Sequence, residues 1–243
     1  MGQKTALVTG GTGTIGTEIC RQLFQAGHRV VATCLPAEAR AAQDWQATQK
    51  AAGCEIEVVH CDLSDFDATA AAVAQAGAVD ILVNVAGITR DASLRKMTPA
   101  QWHEVIQSNL DSVFNATRNV IEGMLERGFG RVISISSING QKGQFGQANY
   151  AASKAGIHGF TMSLAQEGAR KGVTANTVSP GYIESPMVNA VPEEVRKQII
   201  AQIPVARLGR PADIARVVVF LAEEESDFIT GTNIPVNGGH YMS

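Results

Sequence analysis

Thr5-Ala6-Leu7-Val8-Thr9-Gly10-Gly11-Thr12-Gly13-Thr14-Ile15-Gly16 joins a short apolar run to a glycine-rich turn and then to a segment of helical period. The apolar run reads as a strand over 5–9, and 15–25 reads as the helix that follows. A strand, a glycine turn and a helix in that order aim free backbone N–H groups and the positive helix end at one point, which suits a pyrophosphate. Taken alone the turn is weak evidence, because Gly10, Gly11 and Gly13 serve equally well as positive-φ residues in a plain connection.

The same alternation runs on along the chain. Runs rich in Val, Ile and Ala at 29–34, 55–60, 81–84, 131–136, 174–179 and 233–236 alternate with helical patterns at 37–51, 65–76, 99–126, 149–168, 192–201 and 211–222. Near-continuous apolar strands separated by helices predict an α/β fold: one doubly wound, seven-stranded parallel sheet covered on both faces. Pro99 and Pro211 suit first helical turns, after a good cap in Thr98 and a poor one in Arg210. There is no repeat, low-complexity tract or Pro/Ser-rich linker, so 243 residues read as a single domain.

The formal net charge of -3 is dispersed, with no basic stripe for nucleic acid and no polybasic patch for a membrane surface. No apolar stretch reaches the roughly 18 residues of a membrane span. Residues 1–4 lead straight into the first strand without a targeting pattern. Cys20, Cys34, Cys54 and Cys61 form no CxxC pair and have no histidines at metal-ligand spacing, so no metal is expected and free thiols in a reducing cytoplasm fit best. The expected partners are small molecules.

Chemistry concentrates in Ser137 and in Tyr150-Ala151-Ala152-Ser153-Lys154. Tyrosine and lysine at i and i+4 share one helix face, so both can point at one ligand. A phenol titrates near 10 when free, and a lysine charge at about 4 Å attracts its phenolate by up to roughly 4 kcal/mol at an effective dielectric near 20. Ser137 ends the fifth strand, where its hydroxyl can face the crevice at the carboxyl edge of the sheet and bond a substrate oxygen. An isolated Tyr–Lys pair is common on exposed helices; here it is joined by Asn109, by the glycine turn and by Ser179-Pro180-Gly181.

Together these motifs, in order and spacing across essentially the whole chain, resemble the short-chain dehydrogenase/reductase family, and imply its Rossmann fold. Two positions depart from the family pattern. Thr14 stands where the middle glycine of Thr-Gly-x-x-x-Gly-x-Gly would be, with Gly13 beside it to take the special conformation, and Asn84-Val85-Ala86-Gly87 has Val85 in place of a second asparagine. The resemblance implies that Tyr150 protonates the substrate oxygen, Lys154 also holds the nicotinamide ribose and Asn109 anchors a water relay beside Ser137. It further implies a cofactor cradle of Gly10, Thr12, Gly13, Thr14, Ile15, Gly16, Leu35, Arg40, Asp62, Asn84, Ala86, Gly87, Pro180, Gly181 and Ile183, with Tyr150 and Lys154. Asp62 has a second reading as a helix cap beside Ser64.

An acidic residue ending the second strand would bind the adenosine ribose and repel a 2′-phosphate. That place is near Cys34 and Leu35, with Arg40 offering a cation that favours NADPH; Glu38, and Gly13 at the family's basic position, keep NADH open.

Within the family, Gly87-Ile88-Thr89-Arg90-Asp91, the run from Asn139 to Gln147 and Ser179-Pro180-Gly181-Tyr182-Ile183 look like the acetoacetyl-CoA reductases of polyhydroxybutyrate synthesis. That likeness implies reduction of acetoacetyl-CoA to (R)-3-hydroxybutanoyl-CoA, with Gln144, Phe145, Gln147 and Tyr182 along the acyl and pantetheine pocket and Asp91 and Lys96 at its mouth. The rival is 3-oxoacyl-(acyl-carrier-protein) reductase, which shares Ile88–Asp91 and Gln147–Tyr150 and would use basic residues such as Arg127, Arg170 and Lys171 for docking. A lid is expected over 180–210, including Met187, Val188, Val191 and Pro192. The family also implies a homotetramer through the helices that start near Pro99 and Asn149, with His240, Tyr241 and Met242 reaching a neighbour. A catalytically silent dinucleotide sensor would share the fold but has no need of Asn109, Ser137, Tyr150 and Lys154 together.

Overall fold

All five residues of β1 (Thr5–Thr9) are buried, as a strand covered on both faces requires. The computed structural model describes residues 2–189 and 191–242. In chain order β1 is followed by α1 (Thr14–Gln25), β2 (Arg29–Cys34), α2 (Ala39–Ala51), β3 (Ile56–His60), α3 (Phe66–Ala76) and β4 (Ile81–Asn84). Then come α4 (Pro99–Ile106), α5 (Ser112–Arg127), β5 (Gly130–Ile135), α6 (Ile138–Lys142), α7 (Ala148–Gly168) and β6 (Val173–Pro180). α8 (Pro186–Asn189), α9 (Glu193–Ala201), α10 (Pro211–Ala222) and β7 (Asn233–Val236) complete it.

The seven strands form one parallel sheet in the order β3-β2-β1-β4-β5-β6-β7. β1 pairs with β2 on one side and β4 on the other, so the chain reverses its direction of growth there and opens a crevice beyond the carboxyl ends of both strands. Apolar residues fill both faces. Ile19 and Leu23 of α1 meet Ile214, Val218 and Leu221 of α10 on one, while Val73, Ala116, Val120, Met124 and Leu164 from α3, α5 and α7 cover the other.

The β1–α1 turn is held by close approach. Gly10 has φ +59, and a Cβ there would lie 2.9 Å from the Ala86 Cα; a Cβ on Gly16 would collide with the Gly10 carbonyl oxygen. Gly13, expected to take the special conformation, instead has φ -72 and ψ 172, an ordinary extended geometry, because the turn reverses at Gly10. The adjoining β4 turn hangs on Thr9, whose buried hydroxyl oxygen accepts the Val85 N–H at 3.0 Å and the Ala86 N–H at 3.2 Å.

Some boundaries differ from the sequence reading. The strands expected at 55–60, 131–136 and 174–179 differ by one residue at one or both ends, and the helix expected at 37–51 starts with a 3-10 turn at Pro36–Glu38. The continuous helix expected over 99–126 is broken by a π turn, Gln107–Asp111, between α4 and α5. α6 and α8 were not expected, since helices of one turn are too short to show a period. Thr98 caps α4 in a reciprocal box with Gln101; at α10 the Asp213 carboxylate accepts the Arg210 N–H, the arginine side chain having no acceptor to offer.

Thr9→Val removes the shared acceptor of two backbone N–H groups while keeping the side-chain shape. Its equilibrium stability in urea is expected to fall by about 1–3 kcal/mol; an unchanged unfolding midpoint would show that Thr9 does not hold the β4 turn.

Candidate active site

The first turn of α7 carries Tyr150 and its second carries Lys154, and both side chains lean over the end of β5. Lys154 is 4% exposed, and its Nζ donates to the Ile135 carbonyl at 2.8 Å. The Tyr150 ring centroid is 5.8 Å from that Nζ. Ser136 fastens helix to strand, its hydroxyl donating to the Lys154 carbonyl at 2.9 Å. Ser137 sits at the N-cap of α6, where its oxygen accepts the Asn139 N–H at 3.1 Å. The Ser137 hydroxyl faces the Tyr150 phenol and favours its ionised form.

Asn109 lies inside the π turn, fully buried. Its Oδ1 accepts the Ile88 N–H at 2.7 Å, and its Nδ2 donates to the Ile88 carbonyl at 3.0 Å and to Ser153 Oγ at 3.2 Å. Ser153 in turn donates to the Tyr150 carbonyl at 2.8 Å, linking Asn109 to α7. Gly87 marks where these parts converge, since a Cβ on it would stand 3.2 Å from Asn109 Oδ1 and 3.4 Å from Lys154 Nζ. The π turn is the local distortion that delivers Asn109 here, and such turns recur at functional sites. Asn109, Ser137, Tyr150 and Lys154 are thus brought together at the carboxyl edge of β4 and β5.

The electrostatics correct one expectation. Lys154 does not pull the Tyr150 phenol below its usual range; burial pushes it up, the Asp91 charge adds to that, and the Ser137 hydroxyl opposes both. Burial dominates at both groups: it desolvates the lysine as well, which donates one of its three N–H groups to a backbone carbonyl and is lowered from 10.5 to about 8. At neutral pH the pair is therefore a protonated phenol beside a mostly protonated amine. That phenol is an acid poised to deliver a proton, and the amine is placed to offset the charge left behind.

The cofactor candidates all lie on the same edge of the sheet. Gly10, Thr12, Gly13, Thr14, Ile15 and Gly16 form the β1–α1 turn, with Thr14 exposed as the first residue of α1. α1 has no side-chain cap and no acidic residue in its first turn, so its leading N–H groups are left for an anion from outside. Leu35 is exposed past β2, and Arg40 is exposed in the first turn of α2, with no ion pair among the described residues. Asp62 is exposed after β3; its Oδ1 accepts from the Ser64 N–H and hydroxyl, while the cap of α3 is Asp65 and not Asp62. Asn84 braces the sheet by donating to Ser134 Oγ at 3.2 Å, and Ala86 and Gly87 follow it. Pro180 ends β6, Gly181 donates to the Val236 carbonyl, and Ile183 turns its side chain into the core so that only its backbone can face the crevice.

The substrate candidates are less uniform. Gln147 ties one of them, Asp91, to Asn139, accepting from Asn139 Nδ2 and donating to Asp91 Oδ2, each at 2.9 Å. Phe145 projects 88% exposed, next to Gln144, whose Oε1 accepts from Lys142. Lys96 is exposed on the connection after β4. Tyr182 stacks on His240 with ring centroids 5.7 Å apart and lines a cavity of about 230 Å³ together with Ile183, Ile203, Val205, Arg207, Asp213 and Val236. The 180–210 segment carries α8 and α9; Ala190 and the Met187 side chain lie outside the described residues, as does Met1. Thr9, Ser136, Asn139, Asn149 and Ser153 were missed as supports, because each bonds groups that only the folded chain makes neighbours. Among the described residues no group of three His, Cys, Asp or Glu can hold a metal ion, and no helix is long and apolar enough to cross a membrane.

Comparison with known proteins agrees with this architecture. The family described as short chain dehydrogenase matches residues 4–196. An acetoacetyl-CoA reductase of Allochromatium vinosum is 57% identical, over 98% of this chain and 99% of its own. One from Cupriavidus necator is 52% identical over the whole of both chains. A 3-oxoacyl-(acyl-carrier-protein) reductase of Vibrio harveyi is 41% identical over 98% of both. With a parallel seven-stranded sheet, a glycine turn at its switch point and a Ser, Tyr and Lys set at its edge, the chain belongs to the short-chain dehydrogenase/reductase family.

Proposed function

We propose that this protein reduces acetoacetyl-CoA to (R)-3-hydroxybutanoyl-CoA with a reduced nicotinamide dinucleotide. The observation that carries the reading is the convergence of Ser137, a phenol held protonated by burial and the buried Lys154 ammonium at the end of β5. Two relatives at 57% and 52% identity, named acetoacetyl-CoA reductase, support the choice of substrate. The handedness of the product and its use as a polymer precursor, for polyhydroxybutyrate, follow from that likeness.

A reduced nicotinamide held in this cradle would supply the hydride that the ketone carbon takes up. Ser137 donates to the ketone oxygen, where negative charge grows. Tyr150 passes its phenolic proton to that oxygen, and the Lys154 charge stabilises the phenolate that remains. Asn109 keeps the Ile88 backbone and Ser153 in place around them. The first turn of α1 takes the pyrophosphate, and Asn84, Ala86, Gly87, Asp62, Pro180, Gly181 and the Ile183 backbone border the rest of the dinucleotide. Asp91, Lys96, Gln144, Phe145, Gln147 and Tyr182 line the thioester's path, and the 180–210 segment closes over it, excluding water from the reacting carbon.

NADPH is the favoured cofactor, because Arg40 is an exposed cation shortly past the end of β2, with no ion pair among the described residues, near the place the family gives a 2′-phosphate. The single-domain protomer assembles as a homotetramer through α4, α5 and α7 with its tail, in a reducing cytoplasm consistent with four free, buried thiols.

Steady-state oxidation of NADPH and NADH with acetoacetyl-CoA, run beside acetoacetyl carrier protein, tests the substrate. Faster turnover of the CoA thioester is expected, and preference for the carrier protein would move the enzyme to fatty-acid synthesis. Tyr150→Phe is expected to lower kcat by at least about 100-fold with cofactor affinity unchanged; normal turnover would remove the phenol from the mechanism. Arg40→Ala is expected to raise the KM for NADPH about fivefold, the worth of one exposed charged contact near 1 kcal/mol, with NADH unaffected. Equal effects on both cofactors would place Arg40 away from the 2′-phosphate.

A further inference from the structure

Asn149 stands immediately before Tyr150 in the first turn of α7 and is fully buried. Its Nδ2 donates to the Arg90 carbonyl at 3.0 Å and to the Gln101 carbonyl at 3.1 Å, while its Oδ1 accepts the Tyr150 backbone N–H at 2.8 Å. Both amide donors and an acceptor are thus committed, to three segments of chain: the connection after β4 that walls the site, α4, and α7 itself. The Tyr150 N–H is one of the donors a helix start leaves unpaired, and the N-cap residue Gln147 supplies no side-chain cap, so Asn149 provides what the helix lacks.

The wall is held at two points. Asn109 grips Ile88 through both its N–H and its carbonyl, and two residues on Asn149 grips Arg90. Beyond that, the Ala92 N–H donates to the Gly146 carbonyl at 2.9 Å, and Gln147 reaches the exposed Asp91. Asn109 and Asn149 are the buried members of this seam, and of the two it is Asn149 whose side chain also bonds the backbone of Tyr150 itself. Helix packing alone does not fix how far the phenol stands from a wall built on a separate connection; a shared amide does.

We propose that Asn149 is a positioning residue that sets the Tyr150 phenol in register with the 88–98 wall, so that a ketone held against the wall meets the phenol at proton-transfer distance. The identity of that ketone rests on the proposed acetoacetyl-CoA reductase activity, whereas the latch itself does not need it.

Asn149→Ala is expected to lower kcat about 100-fold, as for a reacting group misplaced by about 1 Å, with cofactor affinity within about twofold of wild type. A cofactor deuterated at the transferred hydrogen is expected to show a larger isotope effect in the variant, since chemistry becomes slower than release; a residue important only for folding would leave kcat per folded enzyme and the isotope effect as they were. Amide hydrogen exchange is to be measured on the same proteins without substrate. Segment 88–98 is expected to exchange about tenfold faster in Asn149→Ala, with β1 and β4 unchanged. If Asn149→Ala does not fold, Asn149→Asp keeps the acceptor for the Tyr150 N–H and loses the two amide donors, and the same acceleration is expected. Wild-type exchange at 88–98 in either folded variant, or wild-type kcat in Asn149→Ala, overturns the latch. A wild-type enzyme inactive on acetoacetyl-CoA overturns the substrate instead, and the exchange experiment still decides the latch.

Discussion

A lysine ammonium buried to 4% exposure with one backbone carbonyl for a partner is costly to keep, and the neighbouring parts of this fold serve to keep it. The carbonyl belongs to Ile135, the last residue of β5, whose position is set by pairing with β4 and β6. The ammonium arrives on α7, pinned to the same strand end through Ser136. Because desolvation drives the amine to about 8, the charge is retained at neutral pH by a narrow margin. The same burial raises the phenol beside it. One environment therefore acts in opposite directions on a base and an acid, and leaves the acid loaded.

Around that pair the supports are side chains bonding backbone: Asn109 to Ile88, Ser153 to Tyr150, Thr9 to Val85 and Ala86, Asn149 to Arg90, Gln101 and Tyr150. Such bonds place loops that have no periodic ladder of their own. The two departures from the family pattern sit where this scheme tolerates them. Thr14 is exposed at the start of α1, and Val85 keeps the backbone N–H that Thr9 requires while its side chain packs on the core.

The sheet was legible in the sequence almost to the residue, because strands buried on both faces leave unbroken apolar runs such as 5–9 and 81–84. Tyr150 and Lys154 were legible as one face of a helix for the same periodic reason. The π turn at Gln107–Asp111 was not, since a single added residue leaves the helical pattern on either side intact. Nor was α6, which is one turn long. The direction of the Tyr150 shift was misread because pairwise attraction can be estimated from spacing, whereas desolvation depends on the packing of the folded chain. Asn149 read only as the start of a helix; its three partners lie far apart in sequence or on the backbone, where composition carries no trace of them.

Lys154 is, on this geometry, a desolvated but charged amine at neutral pH, and the chemistry assigned to Tyr150 depends on it. The most direct measurement is an NMR titration of the lysine side-chain Hε–Cε signals in the cofactor-free protein, with Lys154 assigned by its loss in Lys154→Met. A midpoint near 8 is expected for Lys154, apart from the surface lysines. A midpoint at the ordinary 10.5 would contradict it, since the amine would then be solvated and would not share the water-poor environment that holds the Tyr150 phenol protonated.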